Sequence, residues 1–139
     1  GTLYRHFPQR SDLVLAVLKD EIDACADAAV ALGAAHPPEV ALARWIQRYT
    51  ELVATKVGLA SALHSDDAAH KALRVHLHQR MEPVVEDLLA AARAAGQIRS
   101  DVTAADLLYA VALLCHPVPG QDSGYSQHLV GIFIDGLRP

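Results

Sequence analysis

Apolar residues recur along most of the chain at the three- and four-residue intervals that are typical of amphipathic helices. The clearest run extends from Ser11 to about Leu32, where the apolar residues share one stripe and the charged residues fall away from it. The same pattern predicts a second helix from about Glu39 to Thr55 and a short apolar helix from Leu59 to His64. Ser65 and Asp66 are good N-cap residues for a longer helix that follows them.

Glycine and proline mark where the helices are expected to end. Gly33 and the Pro37–Pro38 pair are expected to end the first helix, since two prolines cannot continue it. Pro83 is expected to kink or restart the helix in which it lies, because proline lacks a backbone donor and clashes with the preceding turn. Gly96 is placed to cap the C-terminus of that helix.

The C-terminal third of the sequence predicts two more helices. Thr103 is a plausible N-cap for a helix that reaches about Cys115, and residues 116–124 form a loop rich in proline and glycine. A last helix is predicted from about Ser126 to Leu137. Since no alternating strand pattern of useful length is present, the predicted fold class is all-α.

Composition narrows the class of protein further. The chain has 139 residues, is 52% hydrophobic and carries a formal net charge of −4, yet its first ten residues hold Arg5, His6 and Arg10 and no acid. Nucleic acid would therefore have to meet the N-terminal end rather than the body of the chain. Cys25 and Cys115 lack metal-ligand spacing and are interpreted as buried free thiols of a cytoplasmic protein. No segment approaches the roughly 20 apolar residues of a membrane span.

Four strings, in order along the chain, resemble the tetracycline-repressor (TetR) family of transcriptional regulators. They are G-T-L-Y-R-H-F-P-Q-R-S-D-L at residues 1–13, T-K-V-G-L-A at 55–60, A-G-Q-I-R-S-D-V at 95–102 and I-D-G-L-R-P at 134–139. The first string resembles the recognition helix of the family's helix-turn-helix and the start of the helix after it. Few other protein families use this string.

The resemblance implies a TetR-like helical bundle that binds operator DNA and acts as a transcriptional regulator, usually a repressor. It also implies that two helices are missing before Gly1, so we expect the chain to be a fragment, or the ordered part of a longer protein. Residues 1–33 would then be the remainder of the DNA-binding domain, and residues 34–139 the effector-binding and dimerisation domain. The positions that correspond to DNA-contacting residues of the family are Thr2, Tyr4, His6 and Arg10. Without the supporting helices, the 139-residue chain itself is expected to bind duplex DNA weakly and without sequence preference.

The mechanism implied by the resemblance is a shift between two dimer geometries, in which a small-molecule effector favours the form that no longer fits the operator. The helix from Ser11 to Leu32 would act as the lever. Large or polarised side chains on the apolar faces of the middle helices are the candidates for the effector pocket. They are Trp45, Tyr49, Val53, Leu63, His64, Val85, Leu88, Leu89, Tyr109 and Leu113.

The pocket hypothesis rests on helical spacing. Trp45 and Tyr49 lie one turn apart, and Tyr109 and Leu113 repeat that spacing on a later helix, so the two pairs are expected to face each other with His64 nearby. Such a cavity would favour a flat, largely apolar molecule with one or two polar groups. The alternative for each of these residues is that its side chain simply fills the core.

A homodimer is expected to form through the last two predicted helices. Their apolar faces are expected to be larger than one protomer can cover. Pairing them with the same faces of a symmetry mate would make a four-helix bundle. The predicted interface residues are Leu107, Val111, Leu114, Val130, Phe133 and Leu137.

Other functional classes find little support in the residues. Within a predicted helix, no two of His70, His76 and His78 have the four-residue spacing that a shared metal ion needs, although a long-range site that uses His64 and His116 stays open. No nucleophile elbow, phosphate loop or zincin motif is present, so we expect neither an enzyme nor a cofactor. The rival to a regulator is a helical dimerisation or ligand-carrier module with no role on DNA.

Overall fold

A computed structural model of the protein describes residues 10–55, 68–122 and 124–139. Across these residues the backbone forms five helices and no strand, which confirms the all-α prediction. The helices are α1 (Arg10–Ala35), α2 (Pro38–Thr55), α3 (Ala68–Ala94), α4 (Ala104–Leu114) and α5 (Tyr125–Gly136). The predicted helix Leu59–His64 and the caps Ser65 and Asp66 lie outside the described residues. Within the described ranges, none of the helices is long and apolar enough to cross a membrane.

The connection between the first two helices is shorter than the sequence predicted. Gly33 does not end α1, because the helix continues to Ala35 and the amide of His36 still donates to the carbonyl of Leu32 at 3.0 Å. Only His36 and Pro37 then separate the two helices. Pro38 starts α2 at the one helical position that suits proline, since the missing N–H has no partner there in any helix.

The expected break at Pro83 is absent, since α3 continues through this residue from Ala68 to Ala94. Met81 and Val85, on either side of the proline, are both completely buried. Packing along this buried face therefore keeps α3 one helix through the proline, and it outweighs the loss of one backbone hydrogen bond.

Two predicted helix ends are confirmed in atomic detail. Gly96 has a φ of +71°, and the amides of Gly96 and Gln97 donate to the carbonyls of Arg93 and Ala92, which is the Schellman arrangement of a helix C-terminus. At the start of α4, the Thr103 hydroxyl accepts from the Asp106 amide, and the Asp106 carboxylate accepts from the Thr103 amide. This reciprocal pair is a capping box.

The central element of the bundle is α2, which contacts each of the other four helices. Its inward side chains Trp45, Ile46 and Tyr49 have no exposed surface, and Val53 has almost none. The α1 helix packs against α2 and α3, while α4 contacts α3, α2 and α5. A change at the core of α2 can therefore reach every helix of the described bundle.

Four of the six residues predicted for the dimer interface lie instead in the core of the chain itself. Leu107, Val111 and Val130 are completely buried, and Leu137 is 3% exposed. Leu114 and Phe133 are half-buried and pack against that core. The four buried residues are used within the protomer, because α4 and α5 pack with them against α2, α3 and each other. A dimer contact of Leu114 and Phe133 stays a prediction.

Candidate functional site

The centre of the bundle holds a stacked aromatic pair on α2. The rings of Trp45 and Tyr49 lie 5.3 Å apart between centroids, with only 12° between their planes. The one-turn spacing had predicted that both rings lie on the same side of the helix, and the stacking confirms it.

The polar atoms of this pair are bonded to the backbones of two other helices. The indole N–H of Trp45 donates to the carbonyl of Cys25 in α1 at 2.9 Å, and the Tyr49 hydroxyl donates to the carbonyl of Leu108 in α4 at 3.4 Å. Burial raises the pKa of Tyr49 far above its ordinary value, so the phenol stays a neutral donor. The pair thus connects α2 to α1 and to α4.

The other described pocket candidates on α2 and α3 are also buried. Val53, Val85 and Leu89 are at most 1% exposed, and Leu88 is 5% exposed. Leu63 and His64 lie outside the described residues. Burial is compatible with a pocket wall and equally with a filled core, so contact of these side chains with a ligand stays a prediction.

Two buried thiols flank the aromatic pair. Cys25 lies beside Trp45 on α1, and the thiol of Cys115 approaches the backbone carbonyl of Thr50 at 4.0 Å. Burial raises the pKa of each thiol to about 11, which keeps both protonated at neutral pH. These cysteines act as small apolar core residues rather than as nucleophiles.

The expected second wall of the pocket is not opposite the first. Tyr109 and Leu113 are 52% and 61% exposed, because the inner side of α4 is taken by Leu107, Leu108 and Val111. The ring of Tyr109 packs instead on His78 of α3, with 4.7 Å between centroids. The expectation that Tyr109 and Leu113 face the aromatic pair across a cavity is therefore wrong.

A cavity that the sequence did not predict opens at the C-terminal end of α2. It has a volume of about 240 Å³ and lies between Ala54 and the loop that joins α4 to α5. Polar groups on its wall include His116, Asp122 and Tyr125. The proline- and glycine-rich loop was recognised in the sequence, but nothing local shows that it folds back against α2.

A cluster of charged side chains joins α1 to α3. The carboxylate of Asp23 accepts from Nε2 of His76 and from Nε of Arg80, both at 2.9 Å, and Arg80 also donates to Asp27 at 3.1 Å. Burial opposes ionisation of Asp23, but the hydrogen bonds from Arg80 and His76 hold the pKa of that carboxyl below its ordinary value. The two acids, Asp23 and Asp27, are four positions apart in the sequence, and so are the two bases, His76 and Arg80. This matching spacing is the sequence signal for the cluster.

The predicted DNA-contacting side chains are not among those that the structure describes. Thr2, Tyr4 and His6 lie outside the described residues, and for Arg10 only the backbone, at the start of α1, is described. Among the residues that the structure does describe, no group of three histidine, cysteine or acidic side chains could hold a metal ion.

Comparison with known proteins decides the family. The family model for the C-terminal domain of SbtR-like transcriptional regulators matches residues 37–139. The chain belongs to the TetR family. A crystal structure of the TetR transcriptional regulator SCO0520 from Streptomyces coelicolor is similar over 100% of this chain and 80% of its own, with 32% identity and a TM-score of 0.75. No curated protein sequence matches the chain.

As a member of the TetR family, the protein is a transcriptional regulator. The helix predicted as the lever is α1, and it is connected to the core by the Trp45 hydrogen bond and by the cluster around Asp23. The region of α2 that carries the aromatic pair therefore contacts the one described helix that leads back to the N-terminal motif.

Proposed function

We propose that this TetR-family regulator is a repressor that leaves its operator when a small-molecule effector binds among the middle helices. The observation that carries the proposal is the hydrogen bond from the Trp45 indole to the Cys25 carbonyl, 2.9 Å long, because it joins the core of α2 directly to α1. A ligand that moves α2 would then move α1 and, with it, the DNA-binding end of the chain.

The effector is proposed to be a flat, largely apolar molecule with one or two polar groups. Trp45 and Tyr49 already donate to backbone carbonyls, so they supply apolar wall rather than free hydrogen-bonding groups. The polar contacts would come from the cavity beside Ala54, where Asp122 and Tyr125 line the wall. Leu63 and His64 belong to the chain segment that continues from α2, and they are retained as proposed pocket residues.

On the DNA side, Thr2, Tyr4, His6 and Arg10 are proposed to contact the operator, with residues 1–33 forming part of the DNA-binding domain and 34–139 the effector-binding and dimerisation domain. The family-model match that begins at residue 37 supports this division. The regulator is proposed to have no catalytic role and to act in the cytoplasm, in the compartment that holds the DNA.

The effector proposal can be tested with the protein expressed from its full coding sequence. An operator would be selected from random duplex DNA, and its binding would be followed by fluorescence anisotropy while candidate effectors are added. Ala54→Trp fills the cavity at the end of α2 and should abolish release by the effector while operator affinity stays unchanged. Ala90→Trp, on an exposed position of α3, is the matched control and should respond normally.

Two results would reject parts of this function. Failure to select any duplex, with an effector still bound, would favour the rival module that has no role on DNA. If the Ala54→Trp variant still leaves the operator at the effector concentration that releases the wild-type protein, the proposed cavity is rejected. The 139-residue chain alone should bind duplex DNA weakly and lose that binding as salt rises; salt-resistant, sequence-selective binding would contradict the proposal.

The homodimer is proposed to use the outer sides of α4 and α5. Leu114 and Phe133 are kept from the sequence prediction, and the four buried residues are not. Tyr109, Leu113 and Ile132 are large apolar side chains between 52% and 61% exposed. Such side chains on the last two helices are suited to a four-helix contact with a second copy.

Substitution of these exposed positions tests the dimer. Leu113→Asp and Ile132→Asp should each shift the sedimenting species from dimer toward monomer. Val30→Asp is the control, because Val30 is 66% exposed on α1, away from both helices. A wild-type chain that sediments as a monomer at micromolar concentration would overturn the proposed interface.

A further inference from the structure

A second cavity lies at the opposite end of α2 from the one beside Ala54. Its volume is about 330 Å³, within the usual range of small-molecule sites, and it lies between the start of α2, the link from α3 to α4 and the end of α5. Its floor is apolar: Leu42, Ile98 and Leu137 line it and are at most 7% exposed.

Four charged side chains surround this floor, two of each sign. Glu39 and Arg138 form a loose ion pair with each other at 3.8 Å. The other two, Arg44 and Asp135, have no hydrogen-bond or ion-pair partner for their side chains among the described residues, and they do not pair with each other. The site therefore presents one unpaired positive and one unpaired negative charge above an apolar surface.

We propose that this cavity binds a small zwitterion with an apolar body, of the class of an apolar dipeptide. The carboxylate of the ligand would meet the Arg44 guanidinium, its ammonium group would meet the Asp135 carboxylate, and its side chains would cover Leu42 and Ile98. A simple anion would be repelled by Asp135 and Glu39, and a simple cation by Arg44 and Arg138, so only a ligand with both charges complements the site.

The location gives this site a consequence for α1. The cavity includes Glu39, which is the second residue of α2 and so lies close to the two-residue corner from α1. The amide of Glu39 donates to the side chain of Gln97 at 3.0 Å. A bound ligand would hold the start of α2 against the α3–α4 link and the end of α5. It would therefore stabilise the corner at which the proposed lever helix ends, without entering the region around Trp45.

The test is a titration of the isotopically labelled 139-residue protein with L-leucyl-L-leucine, followed by amide chemical shifts in NMR. We expect shifts confined to residues 39–44, 97–98 and 134–138, with a dissociation constant on the order of 1 mM. Hexanoate and hexylamine, which each carry one charge, should bind about fivefold more weakly or not at all. Absence of shifts at these amides at about 10 mM dipeptide would overturn the proposal.

Charge-neutralising variants separate recognition from a general surface effect. Arg44→Gln and Asp135→Asn change exposed side chains and should each weaken dipeptide binding about fivefold, with the fold checked by circular dichroism. Lys19→Gln and Asp87→Asn remove exposed charges elsewhere and should leave binding unchanged. Equal binding of hexanoate and the dipeptide would refute the zwitterion class. If the shifts at these amides change with the protein concentration and not with the dipeptide concentration, a second copy of the chain occupies the site. That result would also refute the zwitterion proposal.

Discussion

The hydrogen bond between Trp45 and α1 makes a quantitative prediction for stability. Trp45→Phe keeps an aromatic ring beside Tyr49 but removes the indole N–H that donates to the Cys25 carbonyl at 2.9 Å. It also shrinks a side chain that has no exposed surface. Both changes destabilise the folded chain, since a buried acceptor loses its donor and a void opens in a packed core.

The size of the effect can be estimated from these two contributions. Loss of the donor should cost about 1–2 kcal/mol, because the Cys25 carbonyl stays within the α1 backbone ladder and is not left wholly unbonded. The void left by the smaller ring should cost roughly 1 kcal/mol more. We therefore expect the free energy of unfolding to fall by about 2–3 kcal/mol, which moves the midpoint of urea unfolding by roughly 1 M.

The assay is urea unfolding followed by far-ultraviolet circular dichroism, since Trp45 is the only tryptophan and the variant has no indole fluorescence. The control is Tyr49→Phe, which keeps the stacked ring and removes only the longer 3.4 Å bond to the Leu108 carbonyl, so its loss should stay below about 1 kcal/mol. Both should be measured at two protein concentrations, because dimer formation would add to the apparent stability. Equal losses in the two variants would refute the proposed importance of the Trp45 bond.

Three further predictions follow from the described side chains. Burial raises the pKa of Cys25 and of Cys115 to about 11, so a disulfide reagent at pH 8 should label both slowly in the native protein and at once in urea; rapid native labelling would contradict their placement. Burial lowers the pKa of His78 below its ordinary 6.5, so the folded state binds that proton less well than the unfolded state does. Stability should therefore fall as the pH drops below about 6.5, and His78→Gln should flatten that dependence. Asp23→Asn removes the negative charge of an acceptor that two donors share, and it should cost about 0.5–1 kcal/mol in urea unfolding. Asp27→Asn affects one contact and should cost less; the reverse order would contradict the geometry.

The features that the sequence predicted well depend on neighbouring residues alone. The Gly96 cap and the Thr103 capping box are formed by residues within five positions of one another, and both appear as expected. The common side of Trp45 and Tyr49 follows from helical periodicity and is likewise confirmed. Local chemistry is sufficient in each case, because no other helix has to be known.

The predictions that failed depended on which helix packs on which face. Apolar residues of α4 occur on all sides of this helix. Its sequence alone therefore could not show that Leu107 and Val111 turn inward while Tyr109 and Leu113 turn outward. That α3 continues through Pro83 as one helix likewise depends on packing along its buried face. The cavities at the two ends of α2 need segments that are far apart in sequence, and no local pattern brings these together.

The packing of α5 against α2 also sets an order of events during synthesis. Residues between Thr55 and Tyr125 must be made before α5 exists. The end of α5 is then fixed by a 2.7 Å bond from the Arg99 amide to the Leu137 carbonyl. Until then, the side of α2 that α5 will cover stays uncovered on the nascent chain. The described bundle can therefore close only after α5 has left the ribosome, and until then the exposed side of α2 is open to chaperones.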